Sequence, residues 1–248
     1  METLILFADT PLPGSKARLA RDRGEEAALR LAAAFLLDAA GLCHAWRDER
    51  VGVDQNRRLV VYAAPDAQDA MMVDVAFRAH ARLEPQTGDS PVSRLKNAFE
   101  AEFARGARAV CAISGNSPTL PVHLLDLAFR ALLWERVTLG PTFDGGIWLV
   151  GAQRPAPAAI FDEMAWSTKG VLARMLGRLR SLSVEPHLLP FWYDLDDAAD
   201  LERLVWHARA LRARTPGALA ETWHALQNVG LVAAETPVDV NVAKVDAG

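Results

Sequence analysis

The chain has little cysteine and no long apolar run. Only two of its 248 residues are cysteines, Cys43 and Cys111, and they lie far apart in apolar surroundings. An isolated pair of this kind predicts buried thiols and a reducing, cytoplasmic location rather than a disulfide framework. No stretch reaches the roughly 18 apolar residues that a membrane helix needs, and the N-terminus has no basic start before an apolar segment. We therefore expect neither export nor a membrane span.

Signals for zinc, for a serine hydrolase and for nucleic-acid binding are also missing. The six histidines show no His-x-x-x-His spacing, and no Gly-x-Ser-x-Gly elbow occurs. The formal net charge of -4 is spread along the chain without a basic block. Binding to a phosphate backbone requires clustered positive charge, so nucleic acid is not an expected partner.

The composition is that of an ordinary folded domain, with 51% hydrophobic and 23% charged residues. Short apolar runs bounded by proline, glycine or polar residues predict strands at 4–7, 59–63, 109–114, 137–140, 147–150 and 184–189. Between them, apolar residues at helical spacing predict a helix from Glu25 to a stop at Gly41 and a helix from Ser90 to Gly106. Further helices are expected to begin near Thr119, Ser167, Asp196 and Thr215.

Strands that alternate with helices predict an α/β protein, here a single-domain three-layer α/β/α sandwich with a mostly parallel, mixed sheet. No repeat or linker marks a second domain, so residues 1–234 are expected to form the domain. Residues 235–248 are expected to be a loosely held end or an arm on another subunit of a homodimer. Such sheets bind ligands at the carboxyl ends of their strands, so the polar loops after the strands are the candidate site.

Polar motifs occur in four such loops and in two later segments. The segments are Pro-Leu-Pro-Gly-Ser-Lys-Ala-Arg-Leu at 11–19, Gln-Thr-Gly-Asp at 86–89, Ser-Gly-Asn-Ser-Pro at 114–118, Gly-Pro-Thr-Phe-Asp-Gly-Gly-Ile-Trp-Leu-Val-Gly at 140–151, Trp-Ser-Thr at 166–168 and Tyr-Asp-Leu-Asp-Asp at 193–197. Together they resemble the motifs of predicted GT-A glycosyltransferases described as arsenosugar-biosynthesis or radical-SAM-associated enzymes. Those proteins are distant relatives of the molybdenum cofactor guanylyltransferase. The resemblance covers roughly residues 4–201 and implies the GT-A (nucleotide-diphospho-sugar transferase) fold.

The first loop, with Pro13 and Gly14, would hold a pyrophosphate, because Gly14 allows close approach and Lys16 and Arg18 neutralise charge. A solvated basic turn is the alternative. The resemblance also places Gln86 and Asp89 near the nucleotide or acceptor cleft. A turn at the start of the following helix would explain those residues equally well.

Asn116 and Ser117 stand at the family's Asp-containing metal motif, in which a carboxylate holds Mg²⁺ or Mn²⁺ against the nucleotide pyrophosphate. An amide oxygen is a poorer ligand, so the metal site could use other carboxylates, be dispensable or be lost with catalysis. Asp194 and Asp196, two residues apart, could supply the missing oxygen ligands if the segment is extended. Capping of the next helix is the alternative for Asp196, and an ordinary turn is the alternative for Asn116.

Asp144 is the candidate catalytic residue, as a base on an acceptor hydroxyl or as a contact to a sugar hydroxyl. Gly145 and Gly146 would bring the backbone close to substrate. An ordinary hairpin turn explains the same three residues. The resemblance adds Trp166, Ser167 and Thr168 as substrate contacts, although an apolar anchor and a helix cap would account for them too.

The expected activity is transfer of a sugar from a nucleoside-diphosphate sugar to a small acceptor. The alternatives are a nucleotidyltransferase on the same fold and a catalytically silent nucleotide-binding protein.

Overall fold

The apolar runs form the strands of one sheet in the computed structural model, which describes residues 1–48, 56–154, 158–162 and 170–233. Within these ranges the strands are β1 (Glu2–Asp9), β2 (Arg57–Ala64), β3 (Arg82–Pro85), β4 (Ala109–Ser114), β5 (Val137–Pro141), β6 (Ile147–Gln153) and β7 (His187–Leu188). Five of the six predicted strands are confirmed nearly in full, and the run at 184–189 contributes only two residues. The expected boundary at residue 234 and the tail beyond it lie outside the described residues.

The sheet order is β3-β2-β1-β4-β6-β5-β7. Strand β6 runs antiparallel to both of its neighbours, and all other pairs are parallel. The chain therefore builds outward from β1 on one side and then crosses to β4 on the other. This reversal of strand order lies between β1 and β4, where open α/β sheets usually form a ligand crevice.

The helices are α1 (Ala17–Arg23), α2 (Glu25–Asp48), α3 (Ala70–Arg78), α4 (Pro91–Ala104), α5 (Val122–Ala131), α6 (Val171–Ser181), α7 (Ala198–Arg214) and α8 (Ala220–Asn228), with a 3-10 turn at Ala158–Ile160. Helix α4 starts at the predicted cap, where Ser90 and Ser93 form a reciprocal capping box. The predicted stop at Gly41 was wrong, because α2 continues to Asp48. An interior glycine costs a helix only about 1 kcal/mol, and the buried residues Cys43 and Trp46 beyond it pack in the core.

Successive residues of a strand point to opposite faces of the sheet, so they pack into two separate cores. On β1, Leu4 and Leu6 pack with α2, α3 and α5, whereas Ile5 packs with α4 and α6. A third cluster joins α1, α2, α7 and α8 at the end of the sandwich. The predicted α/β/α layering is confirmed.

Helix α2 is long and apolar enough to span a membrane by length and composition. Its apolar residues are, however, buried in both the sheet-facing cluster and the cluster with α7 and α8. This is the environment of a core helix in a globular domain. The thiols of Cys43 and Cys111 are free and buried, as predicted, and burial raises the pKa of Cys43 to about 12.

Replacement of Gly140 by alanine is expected to lower the free energy of unfolding by about 1–3 kcal/mol, because an added methyl group would overlap the buried indole of Trp148. Gly41→Ala is the matched control, since a Cβ there meets nothing within 4 Å. On the exposed face of α2 that change should stabilise by about 0.5–1 kcal/mol. Urea unfolding of the two variants measures both effects, and equal effects of the same sign would contradict the packing described.

Candidate functional site

Two clefts lie at the carboxyl edge of the sheet. The β1–β4 cleft, of about 310 Å³, is lined at the strand ends by Phe7, Asp9 and Ser114, with Asn116 beyond β4. The acidic cleft, of about 220 Å³, is lined by five aspartates, two arginines, Thr142, Phe143 and Tyr193. Asp196 lines both clefts, so they meet at its side chain.

The first loop places its two cations at this junction. Lys16 lines the β1–β4 cleft, Arg18 lines the acidic cleft, and both side chains bind the carboxylate of Asp196. The Lys16 Nζ to Asp196 Oδ1 distance is 3.1 Å and the Arg18 Nη2 to Asp196 Oδ2 distance is 2.8 Å. Lys16 also donates to the carbonyl of Leu195 at 2.8 Å, and its side chain is only 11% exposed. The lysine is thus held in place, while Arg18 is largely solvated.

Pro13 and Gly14 are exposed and do not line either cleft. The Gly14 amide donates to the Glu25 carboxylate at 2.7 Å, so in this arrangement it is already paired with an anionic group of the protein. The loop contributes Ser15 and Lys16 to the β1–β4 cleft instead. A phosphate at this loop would therefore interact with charged side chains rather than with a glycine amide.

Asn116 and Ser117 join the end of β4 to the segment before α7. The Asn116 carbonyl accepts from the Leu195 amide at 3.0 Å, and the Ser117 hydroxyl donates to the Tyr193 carbonyl at 3.1 Å. The single proton of this hydroxyl is shared with the Asp194 carboxylate, whose Oδ1 lies 2.5 Å away. Two regions almost 80 residues apart in sequence are thereby brought to one edge, as their positions after strands predicted.

Asp194 lies in the acidic cleft with a strongly perturbed carboxyl group. Burial raises its pKa from the ordinary value of 3.8 to about 6. The hydrogen bond from Ser117 and the charge of Lys16 act in the opposite direction, and the negative charges of Asp196 and Asp144 add to the increase. Asp194 therefore gains a proton far more readily than a solvated aspartate.

The perturbed pKa predicts that Asp194→Asn stabilises the fold in alkaline solution. Because the folded state holds the proton more tightly than the unfolded state, this group favours folding fully below pH 4, and the contribution is lost as the pH rises through about 6. The variant should gain about 1–3 kcal/mol over wild type at pH 8. Urea unfolding at pH 4 and pH 8 tests this, since the two proteins should nearly coincide at pH 4. An equal difference at both values would contradict it.

Asp144 lies in the turn that connects β5 to the antiparallel β6. Its Oδ1 accepts from the Thr142 hydroxyl at 2.5 Å and from the Gly146 amide at 3.2 Å. The hairpin interpretation of Asp144-Gly145-Gly146 is thus correct for the backbone, and Asp144 also lines the acidic cleft. A Cβ at Gly146 would lie 2.6 Å from the Thr142 hydroxyl, so that glycine makes room for the protein's own side chain. Neither glycine lines the cleft.

Gln86 and Asp89 do not line either cleft. The amide of Gln86 donates to the carbonyls of Ala8 at 2.8 Å and Tyr62 at 3.1 Å, across the ends of β1 and β2. Asp89 is exposed in the turn before α4. Gln86, directly after β3, thus ties the end of that strand to the ends of β1 and β2. Trp166, Ser167 and Thr168 lie outside the described residues.

The acidic residues do not make a ready metal centre. Both oxygens of Asp196 are engaged by cations, and Asp194 accepts from Ser117. Across residues 1–48, 56–154, 158–162 and 170–233, no three histidine, cysteine or acidic side chains are grouped so as to hold a metal ion. The donors present thus do not fit Mg²⁺ or Mn²⁺ in this arrangement.

The residues that line the clefts but were not predicted as site residues include Asp9, Phe143 and Arg203. Asp9 ends β1, and its position directly after an apolar run was a usable signal. Arg203 pairs with Asp200 at 2.8 Å and lies over the Tyr193 ring. No local pattern marks it, because it sits one turn inside a surface helix.

Residues 48–168 match the family DUF2064. Its description is "uncharacterized protein conserved in bacteria", and the match spans slightly less than half of the chain. No curated protein matches the chain significantly.

Solved structures resemble the chain over almost its whole length. A provisionally named nucleotide-diphospho-sugar transferase from Desulfovibrio desulfuricans G20 superposes with a TM-score of 0.71 at 23% identity, covering 92% of this chain and 94% of that one. A nucleotidyl transferase from Methanothermobacter thermautotroptrophicus gives 0.53 at 14% identity over 85% and 99%. A cytidylyltransferase from Leptospira borgpetersenii gives 0.50 at 12% identity over 95% and 98%. The chain therefore has the fold of these transferases, as predicted, and the narrower resemblance to arsenosugar or molybdenum-cofactor enzymes stays a prediction.

Proposed function

We propose that the protein transfers a sugar from a nucleoside-diphosphate sugar to a small acceptor. The observation that carries the proposal is the convergence of Lys16 and Arg18 on Asp196 where the two clefts meet. A donor would place its nucleoside in the β1–β4 cleft, its diphosphate at the two cations and its sugar in the acidic cleft. The fold shared with a provisionally named nucleotide-diphospho-sugar transferase supports the same assignment.

Lys16 and Arg18 would stabilise the diphosphate that departs during transfer. Negative charge grows on the leaving group as the sugar–oxygen bond breaks, and fixed cations that meet it lower the barrier. Lys16 is positioned for this by its bond to the Leu195 carbonyl, so little reorganisation is needed. In this structure the Asp196 carboxylate occupies the place beside the cations that a phosphate would take.

Asp144 would act on the acceptor side of the reaction. It is exposed at the acidic cleft, and a carboxylate can accept the proton of an attacking hydroxyl. Its bonds to Thr142 and Gly146 both use Oδ1 and fix its orientation. Asp194, across the same cleft, adds a group whose pKa of about 6 would allow it to exchange a proton near neutral pH.

A nucleotidyltransferase is the second candidate, because a cytidylyltransferase and a nucleotidyl transferase share the fold. Nucleotidyl transfer releases pyrophosphate from a nucleoside triphosphate, whereas sugar transfer releases a nucleoside diphosphate. A catalytically silent nucleotide-binding protein is the third, because Asn116 lines the β1–β4 cleft where the resembling family carries an aspartate. That protein would bind nucleotide and release neither product.

Calorimetry with a panel of nucleoside diphosphates and sugar nucleotides, with and without Mn²⁺, tests the proposal. Wild type should bind at least one sugar nucleotide and slowly hydrolyse it to the nucleoside diphosphate. Nucleotide binding by wild type without hydrolysis and without any effect of Mn²⁺, together with Mn²⁺-dependent binding gained only by Asn116→Asp, would favour the silent protein. Pyrophosphate release from a nucleoside triphosphate and a sugar phosphate would favour nucleotidyl transfer, and absence of any nucleotide binding would refute all three.

Asp196→Asn is expected to tighten metal-free binding of nucleoside diphosphates by about two- to fivefold. The neutral side chain no longer competes for Lys16 and Arg18, and a partly exposed ion pair contributes at most about 1 kcal/mol. Asp22→Asn, an exposed change on α1 with the same effect on net charge, is the control. Calorimetry without divalent cations measures the difference, and weaker binding by Asp196→Asn would contradict the competition.

A further inference from the structure

The mouth of the acidic cleft carries an exposed pair of aromatic rings that the proposed sugar transfer does not use. Phe143, in the turn that also holds Asp144, is 71% exposed and lines the cleft. Phe191, from the segment after β7, is 50% exposed. Their ring centroids are 5.6 Å apart and the planes are inclined by 30°.

The pair is held in position by the backbone rather than by burial. The Phe143 amide donates to the Trp192 carbonyl at 3.3 Å, and Thr142 pairs with Trp192 in a parallel bridge. These contacts tie the β5–β6 turn to the 190–192 segment. Two apolar rings are thus presented to solvent on an ordered support beside Asp144, although leaving them exposed does nothing for the fold.

The charge of the cleft restricts what could cover these rings. Its lining contains five aspartates and two arginines, and one of the arginines, Arg18, is assigned above to the donor diphosphate. The other, Arg203, is paired with Asp200. A ligand that brought its own phosphate or carboxylate would meet uncompensated negative charge, whereas hydroxyl groups would find carboxylate acceptors.

We propose that Phe143 and Phe191 form the acceptor platform of the enzyme and select a non-anionic acceptor built on a ring with an apolar face and a free hydroxyl. The ring would lie on the aromatic pair, and its hydroxyl would reach Asp144, the neighbour of Phe143 in the same turn. Sugar rings and aryl rings both offer such a face, since aromatic faces carry partial negative charge that attracts C–H groups and ring edges. This inference rests on the proposed function and assigns the acceptor class.

Another strongly exposed aromatic residue supplies a control for the loss of an exposed ring. Trp206, on α7, is 64% exposed and lies beneath the Arg209 guanidinium, and it lines neither cleft. Trp206→Ala therefore removes a comparable exposed ring without touching the platform. Phe143→Tyr keeps an aromatic face at the cleft, and Phe143→Ala removes it from a site too exposed to support the core.

Ligand-observed NMR titrations on the full chain test the platform with three probes: methyl glucoside, 4-methoxyphenol and glucose 6-phosphate. Wild type should bind one of the neutral rings, and the arm that binds tells whether a sugar or an aryl ring is preferred. Phe143→Ala and Phe191→Ala should weaken that binding about five- to tenfold, while Phe143→Tyr and Trp206→Ala should not. Glucose 6-phosphate should bind more weakly than methyl glucoside.

Failure of this inference can be told apart from failure of the proposed function. Nucleoside-diphosphate binding by Phe143→Ala should equal that of wild type, because the platform lies on the acceptor side. Three results would each refute the platform. They are equal binding of the neutral ring by wild type and Phe143→Ala, tighter binding of glucose 6-phosphate than of methyl glucoside, and no binding of either neutral ring. In each of those cases the proposed function is still tested by nucleotide binding of wild type, which is measured separately.

Discussion

Lys16→Ala is expected to weaken binding of nucleoside diphosphates and sugar nucleotides by about ten- to a hundredfold. A hydrogen bond from a charged donor contributes about 1.5–3 kcal/mol, and Lys16 is the more buried of the two cations at the junction of the clefts. The change also leaves Asp196 with less compensating charge, which would repel a diphosphate further. Calorimetry at fixed ionic strength measures the loss.

Arg21→Ala is the matched control for Lys16→Ala. Arg21 lies on α1, five residues after Lys16, is exposed and lines neither cleft. Arg21→Ala removes the same unit of charge from the helix that Lys16 precedes, so the general electrostatic effect is shared. If the two variants bound nucleotide equally well, the diphosphate would not be held at Lys16.

Asp144→Asn is expected to reduce the rate of sugar transfer by about 10²–10⁴-fold, which is the usual contribution of a general base. Binding of the donor should change little, because its diphosphate is held at Lys16 and Arg18. The variant keeps the oxygen that accepts from Thr142 and Gly146, so the turn should be preserved. Product formation under saturating donor, followed by chromatography, measures the rate.

Asp22→Asn again controls for the loss of one negative charge, since Asp22 is exposed on α1 and does not line the acidic cleft. A transfer rate that is unchanged in Asp144→Asn would reduce Asp144 to a turn residue, the alternative that its hydrogen bonds equally allow. A loss of donor binding that matches the loss of rate would indicate that Asp144 binds the donor rather than the acceptor.

The sequence predicted most of the sheet because its strands are short apolar runs between breakers, a pattern set by burial on both faces. It missed β3, where Arg82 and Glu84 interrupt the apolar pattern and pair with one another at the sheet edge. It also could not give the antiparallel direction of β6 from the alternation of strands and helices. The Asp-Gly-Gly turn, considered as the alternative, was the local signal for that hairpin.

The loops of the candidate site were found because parallel strands end at a common edge, so polar residues after separate strands must meet. The sequence could not predict which of the side chains at this edge pair with one another. The bonds from Lys16 and Arg18 to Asp196 join residues about 180 positions apart, and they depend on how α7 packs beside α1. The Phe143–Phe191 pair likewise depends on the bridge between Thr142 and Trp192.

The most direct measurement is a crystal structure of the protein with a nucleoside diphosphate bound. We expect phosphate oxygens within hydrogen-bonding distance of Lys16 Nζ and the Arg18 guanidinium, with the Asp196 carboxylate displaced from at least one of them. The nucleoside should lie between the ends of β1 and β4. A nucleotide bound on any other surface, with Lys16 and Arg18 still paired to Asp196, would contradict this expectation.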